Sequence, residues 1–358
     1  MMNKNERLHK SISTAVGAAA ASVMLALPLQ ADYPSTILES GPVAYFPLDE
    51  GAEATTVTSL VSGLNGDVFG EPTRVAGPRG DGTTAFMFNN PEGTVDNNFG
   101  PEPVDYIRVP TDPVLDITGS VSLELWLNRV PGEGGRVENR ISWEGFAGKN
   151  DNAYQLRRNS SGSADVGHDR IAWSVNYQDE SRLPGDLGPS VIAGSTVSSV
   201  NIDFGNWMHV VGVVDLGAGK QMIYINGVLD AEVDLPADRE SVNVNAFDFM
   251  IGAHLSNQGV VQRGTVGALA EVAVYDHALS PERVLVHYQT MVSGDVNLWN
   301  GLVVTTDAQG LPWVDSPLLG SIVVEHSPWI WVHSSQSWLY LPEHDKEGSW
   351  AFAPSGGQ

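Results

Sequence analysis

The sequence predicts an all-β fold, in which an antiparallel sandwich of two sheets is followed by a small Trp-rich β-meander. Three observations favour this class. Apolar and polar residues alternate over short runs, few segments have helical periodicity, and 38 Gly and 21 Pro residues supply turns between the runs. Of the 358 residues, 42% are hydrophobic, which is enough to form a buried core.

The predicted strands are short runs whose apolar residues fall on one face. In the clearest run, 121–128, the residues Leu123, Leu125 and Leu127 share a face, as a half-buried strand requires. Similar runs occupy 43–48, 85–89, 106–109, 170–176, 207–216, 222–226, 249–253 and 269–275. The segments 128–169 and 178–206 are left open as either binding loops or further strands.

A hairpin and a helix are marked by their local chemistry. Asn226-Gly227 joins the alternating runs 221–225 and 228–233, and this dipeptide accepts the positive φ angles of a tight β-hairpin turn. A helix is predicted to begin at Ser280-Pro281-Glu282, because Ser can cap, Pro fits the first turn and Glu favours the positive end of the helix dipole. It is expected to end near His287.

Residues 1–31 have the pattern of a secretory signal peptide. Basic Lys4, Arg7 and Lys10 precede an Ala-rich apolar stretch over 12–29, and the small Ala31 stands before Asp32. We expect cleavage near Asp32 and export to the periplasm, the cell surface or the medium. The alternative is a membrane anchor, for which the stretch is only just long enough. No other apolar run approaches about 18 residues, so no transmembrane segment is predicted in the mature chain.

Composition excludes several classes of function. The chain has 19 Lys and Arg residues against 43 Asp and Glu residues, and a field of this sign repels phosphate backbones, so nucleic acid is not a predicted partner. The absence of Cys excludes disulfides, thiolate metal sites and a Cys nucleophile.

Seven segments carry a resemblance to a known family. They are VAYFPLDEG (43–51), AFMFN (85–89), DYIRVP (105–110), SLELW (122–126), WMHVVGV (207–213), YING (224–227) and EVAVYDHALS (271–280). In this order they resemble the laminin G-like, concanavalin A-like jelly-roll domain, over about residues 41–290. The resemblance implies a two-sheet jelly roll that serves as a binding or adhesion module of secreted proteins.

The same resemblance suggests calcium as a cofactor. Family members often bind one ion at an Asp-x-Ser-Gly-Asn-Gly turn, with help from an Asp-Glu pair in the last strand. Here the turn is 59–67, without the leading Asp, and the pair is Ala-Glu. The implied metal ligands are Asn65, Asp67 and Glu271, which offer the oxygen atoms that Ca²⁺ prefers. A second oxygen-rich loop spans 89–98.

The acidic residues lack the spacing of a glycosidase. Hydrolysis needs two carboxyl groups across the scissile bond, and laminarinase-like enzymes of this fold carry Glu-x-Asp-x-x-Glu along one strand. The equivalent strand here has Glu124 without a second acid, so Glu124 is interpreted as an outward-facing polar residue. His209, without a placed carboxylate, is interpreted as structural. No catalytic residue is predicted.

The composition changes beyond residue 290. Six of the ten Trp residues lie in 299–358, and the segment 295–358 is predicted to be a Trp-rich β-meander with turns at 334–337 and 343–348. It contains the pairs Trp329-Ile330-Trp331, Trp338-Leu339-Tyr340 and Trp350-Ala351-Phe352. Spacing of two puts both rings of a pair on one strand face. We expect this face to point inward as the core of the tail; the alternative is a stacking platform for sugar rings.

Three hypotheses of function follow. The favoured one is an exported, non-catalytic module that recognises a glycan or another extracellular surface ligand through loops of the jelly roll. The second is a structural or adhesive envelope protein that acts through protein contacts or self-association. The third is a glycoside hydrolase-like enzyme, which requires a cleft holding two or more acids with raised pKa values.

Overall fold

The computed structural model describes most of the chain beyond residue 31. The described residues are 32–80, 82–91, 102–130, 143–150, 152–159, 169–178, 192–236, 239–293, 298–299, 302–306, 311–316, 320–326, 329–332 and 337–340. The predicted signal peptide, 1–31, and the last Trp-x-aromatic pair, 350–352, lie outside them. Among the described residues, no helix is long and apolar enough to cross a membrane.

Short strands dominate the described chain. The sandwich contains β1 (Ala44–Phe46), β2 (Thr56–Thr58), β3 (Asn65–Phe69), β4 (Thr73–Ala76), β5 (Thr84–Asn89), β6 (Tyr106–Val109), β7 (Val121–Arg129), β8 (Gly145–Gly148), β9 (Tyr154–Arg158), β10 (Arg170–Tyr177), β11 (Ile192–Asn201), β12 (Met208–Asp215), β13 (Lys220–Ile225), β14 (Val228–Asp234), β15 (Phe249–Ile251), β16 (His254–Leu255), β17 (Val261–Gln262) and β18 (Val266–Tyr275). The tail contains β19 (Leu298–Trp299), β20 (Leu302–Val303), β21 (Thr305–Thr306), β22 (Pro312–Ser316), β23 (Gly320–His326), β24 (Trp329–Val332) and β25 (Ser337–Tyr340).

The sandwich strands other than β16 and β17, which pair with each other, form two large antiparallel sheets. Sheet 1 has the order β14-β13-β12-β7-β18-β5-β4, with β1 also pairing with β18. Sheet 2 has the order β11-β10-β9-β8-β15-β6-β3-β2. The prediction of an all-β, two-sheet antiparallel jelly roll is confirmed.

The main core lies between the two sheets. Leu125 of sheet 1 and Trp173 of sheet 2 are both fully buried in it. Gly212 of β12 faces the Trp173 ring so closely that a Cβ atom would overlap the indole, so only glycine fits there. Alternation along β7 and β12 sends the remaining side chains to the opposite, outer face of sheet 1.

Two helices cover this outer face, and together they bury a second hydrophobic cluster. Helix α1 (Tyr33–Glu39) begins at Asp32, whose side chain accepts a hydrogen bond from the Ser35 N–H at 2.8 Å, and Pro34 stands in its first turn. Helix α2 is Pro281–Ser293. Members of the cluster come from both helices and from sheet 1: Tyr33, Ile37, Tyr45, Trp126, Val211, Tyr224, Tyr275, Val284 and Met291 among others. Because helices cover one face and sheet 2 the other, β7 and β12 are buried on both.

Of the predictions for the hairpin and the helices, some are confirmed and others are incomplete. The hairpin at Asn226-Gly227 is confirmed, since φ is 51° and 80° at its two central residues. Helix α2 begins where predicted but continues beyond His287 to Ser293, and α1 was not predicted. Strands β8, β9 and β11 fall within the two segments that the sequence left open.

In the tail, strands β21 to β25 form a five-stranded antiparallel sheet in chain order. Among the residues of this sheet whose side chains the structure describes, the buried ones are aliphatic, namely Val314, Ile322, Val324 and Val332. Trp331, next to Val332 on β24, is only half-buried. The expectation that the aromatic face forms the core is therefore wrong for Trp331, because Val332, at the neighbouring position on the opposite face of β24, is the buried residue.

Candidate binding groove and buried acidic clusters

Glu124 is the centre of a buried polar cluster between sheet 1 and the two helices. It lies on the outer face of β7 and is fully buried. Its Oε1 accepts hydrogen bonds from the Tyr33 hydroxyl at 2.9 Å and from His209 Nε2 at 2.8 Å. Its Oε2 accepts from the Tyr275 hydroxyl at 2.9 Å and from His287 Nδ1 at 2.8 Å. The carboxylate thus joins α1, α2 and three strands of sheet 1.

A second layer of hydrogen bonds holds the helices over this cluster. Trp126 Nε1 donates to the Tyr33 hydroxyl at 2.9 Å. His287 Nε2 is 2.7 Å from the Ser40 hydroxyl, and the Arg283 guanidinium donates to the same hydroxyl oxygen. Helix α1 is therefore tied to both sheet 1 and α2 by polar contacts as well as by packing.

Electrostatics keep Glu124 ionised. Burial alone would raise the pKa of Glu124, but His287 and His209 outweigh it and hold this pKa well below its usual range. Each carboxylate oxygen accepts two hydrogen bonds. The four acceptor positions of Glu124 are therefore used within the protein, and none is left for a substrate. The interpretation of Glu124 as an outward-facing polar residue is corrected: it points away from the inter-sheet core, yet the helices seal it.

The sequence analysis missed most of this cluster. His209 was interpreted as lacking a placed carboxylate, whereas its Cα partner on β7 is Trp126 and Glu124 lies two residues further along the same face, within hydrogen-bond distance. The available signal was the pairing itself, since both residues lie on polar positions of runs predicted to be central strands. The contributions of Tyr33 and His287 depend on how the helices pack, and that of Tyr275 depends on the pairing of β18 with β7.

Glu271 occupies a different buried site on sheet 1. It lies at a β-bulge in β18 with φ of 57°, and its N–H donates to the Pro47 carbonyl at 3.0 Å. Its carboxyl group accepts from the Tyr45 hydroxyl and lies 3.3 Å from Arg79 Nε. Burial raises the pKa of Glu271 to about 7, although Arg79 and the Tyr45 hydroxyl partly oppose this.

This raised pKa predicts a pH-dependent stability. From pH 4.5 to about 7 the unfolded chain releases the Glu271 proton while the folded chain retains it, so stability falls as pH rises through that range. Replacing Glu271→Gln is expected to remove about 3 kcal/mol of this decline in the free energy of unfolding. Urea unfolding at pH 5 and pH 8 measures it. The exposed Glu282→Gln serves as control, and an equal decline in wild type and Glu271→Gln would contradict the assignment.

The three implied calcium ligands lie on different sheets. Asn65 and Asp67 are exposed on β3 of sheet 2, where the Asn65 Oδ1 accepts from the Thr58 hydroxyl at 2.8 Å. Glu271 is buried on β18 of sheet 1. Among the described residues, no three His, Cys, Asp or Glu side chains are grouped as a metal site would require. Calcium stays a prediction.

The second oxygen-rich loop is described only in part. The Asn90 side chain accepts from the backbone N–H groups of Val104 and Asp105 at 2.9 Å each, and donates to the carbonyls of Asp105 and Thr265. It therefore acts as a structural clamp between chain segments. Residues 92–98 lie outside the described residues.

An open groove lies where β11 of sheet 2 meets the β13–β14 hairpin of sheet 1. It encloses about 380 Å³. Its apolar lining consists of Val200, Met208, Ile225, Val228 and Leu229, and its polar lining of Asn201, Asp203, Asn226 and Asp230. Val228 is 62% exposed. The groove thus presents apolar surface beside two carboxylates and two amides, with no basic residue in its lining.

The groove walls are fixed by hydrogen bonds. The Asp230 carboxylate on β14 accepts from the Ser199 hydroxyl on β11 at 2.6 Å, which links the two sheets. The Asn226 Oδ1 accepts a hydrogen bond from the His209 N–H at 2.9 Å. The hairpin turn is thereby anchored to β12, which contributes His209 to the Glu124 cluster. The sequence predicted the hairpin but not the groove, because Val200 and Val228 are brought together only by the fold.

Acids with raised pKa values lie elsewhere. Burial raises the pKa of Glu50 as well as that of Glu271. Neither residue lines the groove. These two acids therefore do not make the groove the cleft that the hydrolase hypothesis requires.

The fold and the groove define a two-sheet jelly-roll domain. A sequence profile of the concanavalin A-like lectin/glucanases superfamily matches residues 102–285, just over half of the chain. The chain therefore belongs to this superfamily. No curated protein sequence matches it.

Several solved structures are similar at low identity. The binding domain of botulinum neurotoxin serotype G matches with 11% identity and a TM-score of 0.49, over 84% of this chain and 75% of that chain. Domain 4 of AbnA, an extracellular arabinanase from Geobacillus stearothermophilus, in complex with arabinotriose, matches with 18% identity and a TM-score of 0.43, over 69% and 98%. The binding domain of Paraclostridial Mosquitocidal Protein 1 matches with 12% identity and a TM-score of 0.46, over 87% and 73%.

Proposed function

We propose that the protein is an exported, non-catalytic binding module that recognises a glycan or another extracellular surface ligand. The observation that carries the proposal is the groove between β11 and the β13–β14 hairpin. It is concave and mostly apolar, and a few polar groups converge on it, which is the usual character of a ligand site. The signal-peptide pattern of residues 1–31 supports export.

The groove chemistry suits ligands with hydroxyl or amine donors beside an apolar face. Asp203 and Asp230 offer carboxylate acceptors, while Val228 and Leu229 offer exposed aliphatic contact. Asp230 is held in place by the Ser199 hydroxyl, so its orientation is set before binding and less entropy is lost. Anionic ligands are disfavoured by these carboxylates and by the net charge of −24.

The sealed acids support a non-catalytic role. Glu124 has its acceptor positions occupied, and Glu271 is 2% exposed. A hydrolase needs a proton-donating acid and a second carboxyl group at the bound sugar, and neither of these two buried acids lines the groove that holds Asp203 and Asp230. Incubation with β-glucan should therefore release no reducing ends, and release that disappears in Asp230→Asn would establish the enzyme hypothesis instead.

A matched pair of variants tests the groove. Val228 and Val233 are both exposed on β14, but only Val228 lines the groove. Replacing Val228→Arg is expected to weaken retention of the full chain on a glycan array by about tenfold or more, because a bulky cation fills the groove and pairs with its carboxylates. Val233→Arg should leave retention unchanged.

Two results would overturn this proposal. If Val228→Arg and Val233→Arg lost retention equally, with unchanged melting temperatures, the binding site would lie outside the groove. Absence of retention of the wild-type chain on every immobilised glycan would exclude the carbohydrate version.

A structural or adhesive role is the second candidate, and the edge of sheet 1 favours it. Strand β14 is the edge strand and exposes Val228, Leu229 and Val233, with exposed fractions of 62%, 43% and 41%. Edge strands with exposed aliphatic side chains are templates for pairing with another chain. Light scattering at rising protein concentration tests this: a dimer that Val233→Lys converts to a monomer supports self-association, and a wild-type monomer throughout contradicts it.

A further inference from the structure

The tail sheet has two faces of different character. On the buried face lie Val314, Ile322 and Val332, which are no more than 2% exposed. At the alternate positions Trp313, Val323 and Trp331 are only half-buried. The indoles of Trp313 and Trp331 therefore lie on the more accessible face.

The register aligns these residues into a row across the sheet. Trp313 on β22 is paired with Val323 on β23, and Val323 is paired with Trp331 on β24. On the next strand, the Cα partner of Trp331 is Trp338. Because neighbouring strands lie about 4.8 Å apart, the backbones at Trp313 and Trp331 are separated by about 10 Å.

From this row we infer a second binding surface, specific for the sugar rings of an uncharged polysaccharide that runs across strands β22 to β24. The inference deepens the proposed function, because it assigns glycan contact to the tail as well as to the groove. Three features support it.

The first feature is the geometry of the two tryptophans. A separation of about 10 Å along one row is close to the length of two linked pyranose rings, so Trp313 and Trp331 can each contact one ring of a chain. Val323 between them adds apolar contact without blocking the row.

The second feature is partial burial. A half-buried indole is held by its surroundings, so little conformational entropy is lost when a ligand stacks on its accessible part. Fully exposed rings would bind at a greater entropic cost, and fully buried rings could not bind at all.

The third feature is charge. A net charge of −24 repels polyanions, which disfavours acidic polysaccharides and nucleic acids as ligands of the aromatic row. Neutral sugar rings have apolar faces and no charge to repel, so they are the class that this surface accepts.

The test uses the full chain and two named probes, insoluble cellulose as a neutral polysaccharide and alginate beads as an anionic one. Trp331→Ala is expected to weaken retention on cellulose by about tenfold, and Trp331→Phe, which keeps an aromatic ring, should retain most of the binding. The half-buried Trp143 of the sandwich provides the control, and Trp143→Ala should bind cellulose as wild type does. Alginate should retain none of these proteins.

Each result supports or overturns the inference. Wild-type retention of Trp331→Ala overturns it, and if Val228→Arg is then the variant that fails to bind, the groove proposal stands alone. Equal loss of cellulose retention in Trp331→Ala and Trp331→Phe, together with a lowered melting temperature, shows a structural role for Trp331 and also overturns the inference.

The wild-type chain gives a further result. Failure of the wild-type chain to bind cellulose overturns the inference, and failure to bind every glycan contradicts the carbohydrate version of the proposed function as well. A loss of self-association in Trp331→Ala without loss of cellulose retention assigns the row to protein contact instead.

Discussion

Replacing Glu124→Leu is expected to lower the free energy of unfolding by roughly 3–5 kcal/mol, because it removes one buried acceptor from four donors. Tyr33, His209, Tyr275 and His287 all donate to this carboxylate at 2.8–2.9 Å. None of them can turn to solvent while the helices cover sheet 1. Urea unfolding at pH 7 measures the loss.

Two further variants make this result specific. Glu282→Leu, on the exposed first turn of α2, should cost well under 1 kcal/mol. Tyr33→Phe should cost less in the Glu124→Leu background than in the wild type, since the two residues share one hydrogen bond. A loss below about 1 kcal/mol for Glu124→Leu would show that the four donors find other partners.

The prediction also concerns α1. This helix stands directly after the expected signal-peptide cleavage site, yet its Tyr33 is 2% exposed and bonded to both Glu124 and Trp126. The first residues of the expected mature chain therefore belong to the stable fold. Cleavage beyond Tyr33 would remove one donor to Glu124.

The strands of sheet 1 could be predicted from the sequence, but the helices that cover the outer face of this sheet could not. Alternation in 121–128 correctly separated Leu123 and Leu125 from Glu124 and Trp126. It could not show that helices cover the second face, because that covering depends on long-range packing. A polar residue on an apparently open face was therefore interpreted as exposed. Helix α1, at seven residues, is too short to produce a periodic pattern.

Sheet 2 was harder to predict for a local reason. Strand β8, Gly145–Gly148, is buried throughout and contains two glycines, so it has neither alternation nor strong β-propensity. In the tail, both faces of β24 are apolar, and the size of the Trp side chains suggested the wrong face as the core. Which apolar face is buried depends on what packs against the sheet. The sequence of a single strand does not contain this information.

The candidate groove could also be predicted from the sequence only in part. Its hairpin turn is a local signal and was predicted, whereas its opposite wall comes from Val200 and Asn201 at the end of β11. These residues lie in a segment that the sequence left open between loop and strand. Single-sequence patterns detect turns of a few residues, but the pairing of two sheet edges follows from the whole topology.

A third buried carboxyl group, that of Glu144, connects the two sheets away from the Glu124 cluster. It is fully buried and lies 2.9 Å from Arg129 Nε on β7 and 3.6 Å from Arg158 Nε on β9. It also accepts from the Val266 N–H at 2.9 Å. Its negative charge thus compensates guanidinium groups from sheet 1 and from sheet 2.

Replacing Glu144→Gln is expected to destabilise the protein by roughly 3–5 kcal/mol, because the buried Arg129 loses this carboxylate and Arg158 keeps the more distant Asp169, 3.7 Å from its Nη1. Equilibrium unfolding in urea measures this, with Glu282→Gln as the exposed control. The cause is uncompensated charge rather than lost shape, so a triple variant with Arg129→Met, Glu144→Leu and Arg158→Met should be more stable than Glu144→Gln itself. A triple variant less stable than the single one would show that the ion cluster stabilises the sandwich beyond neutralising its own charges.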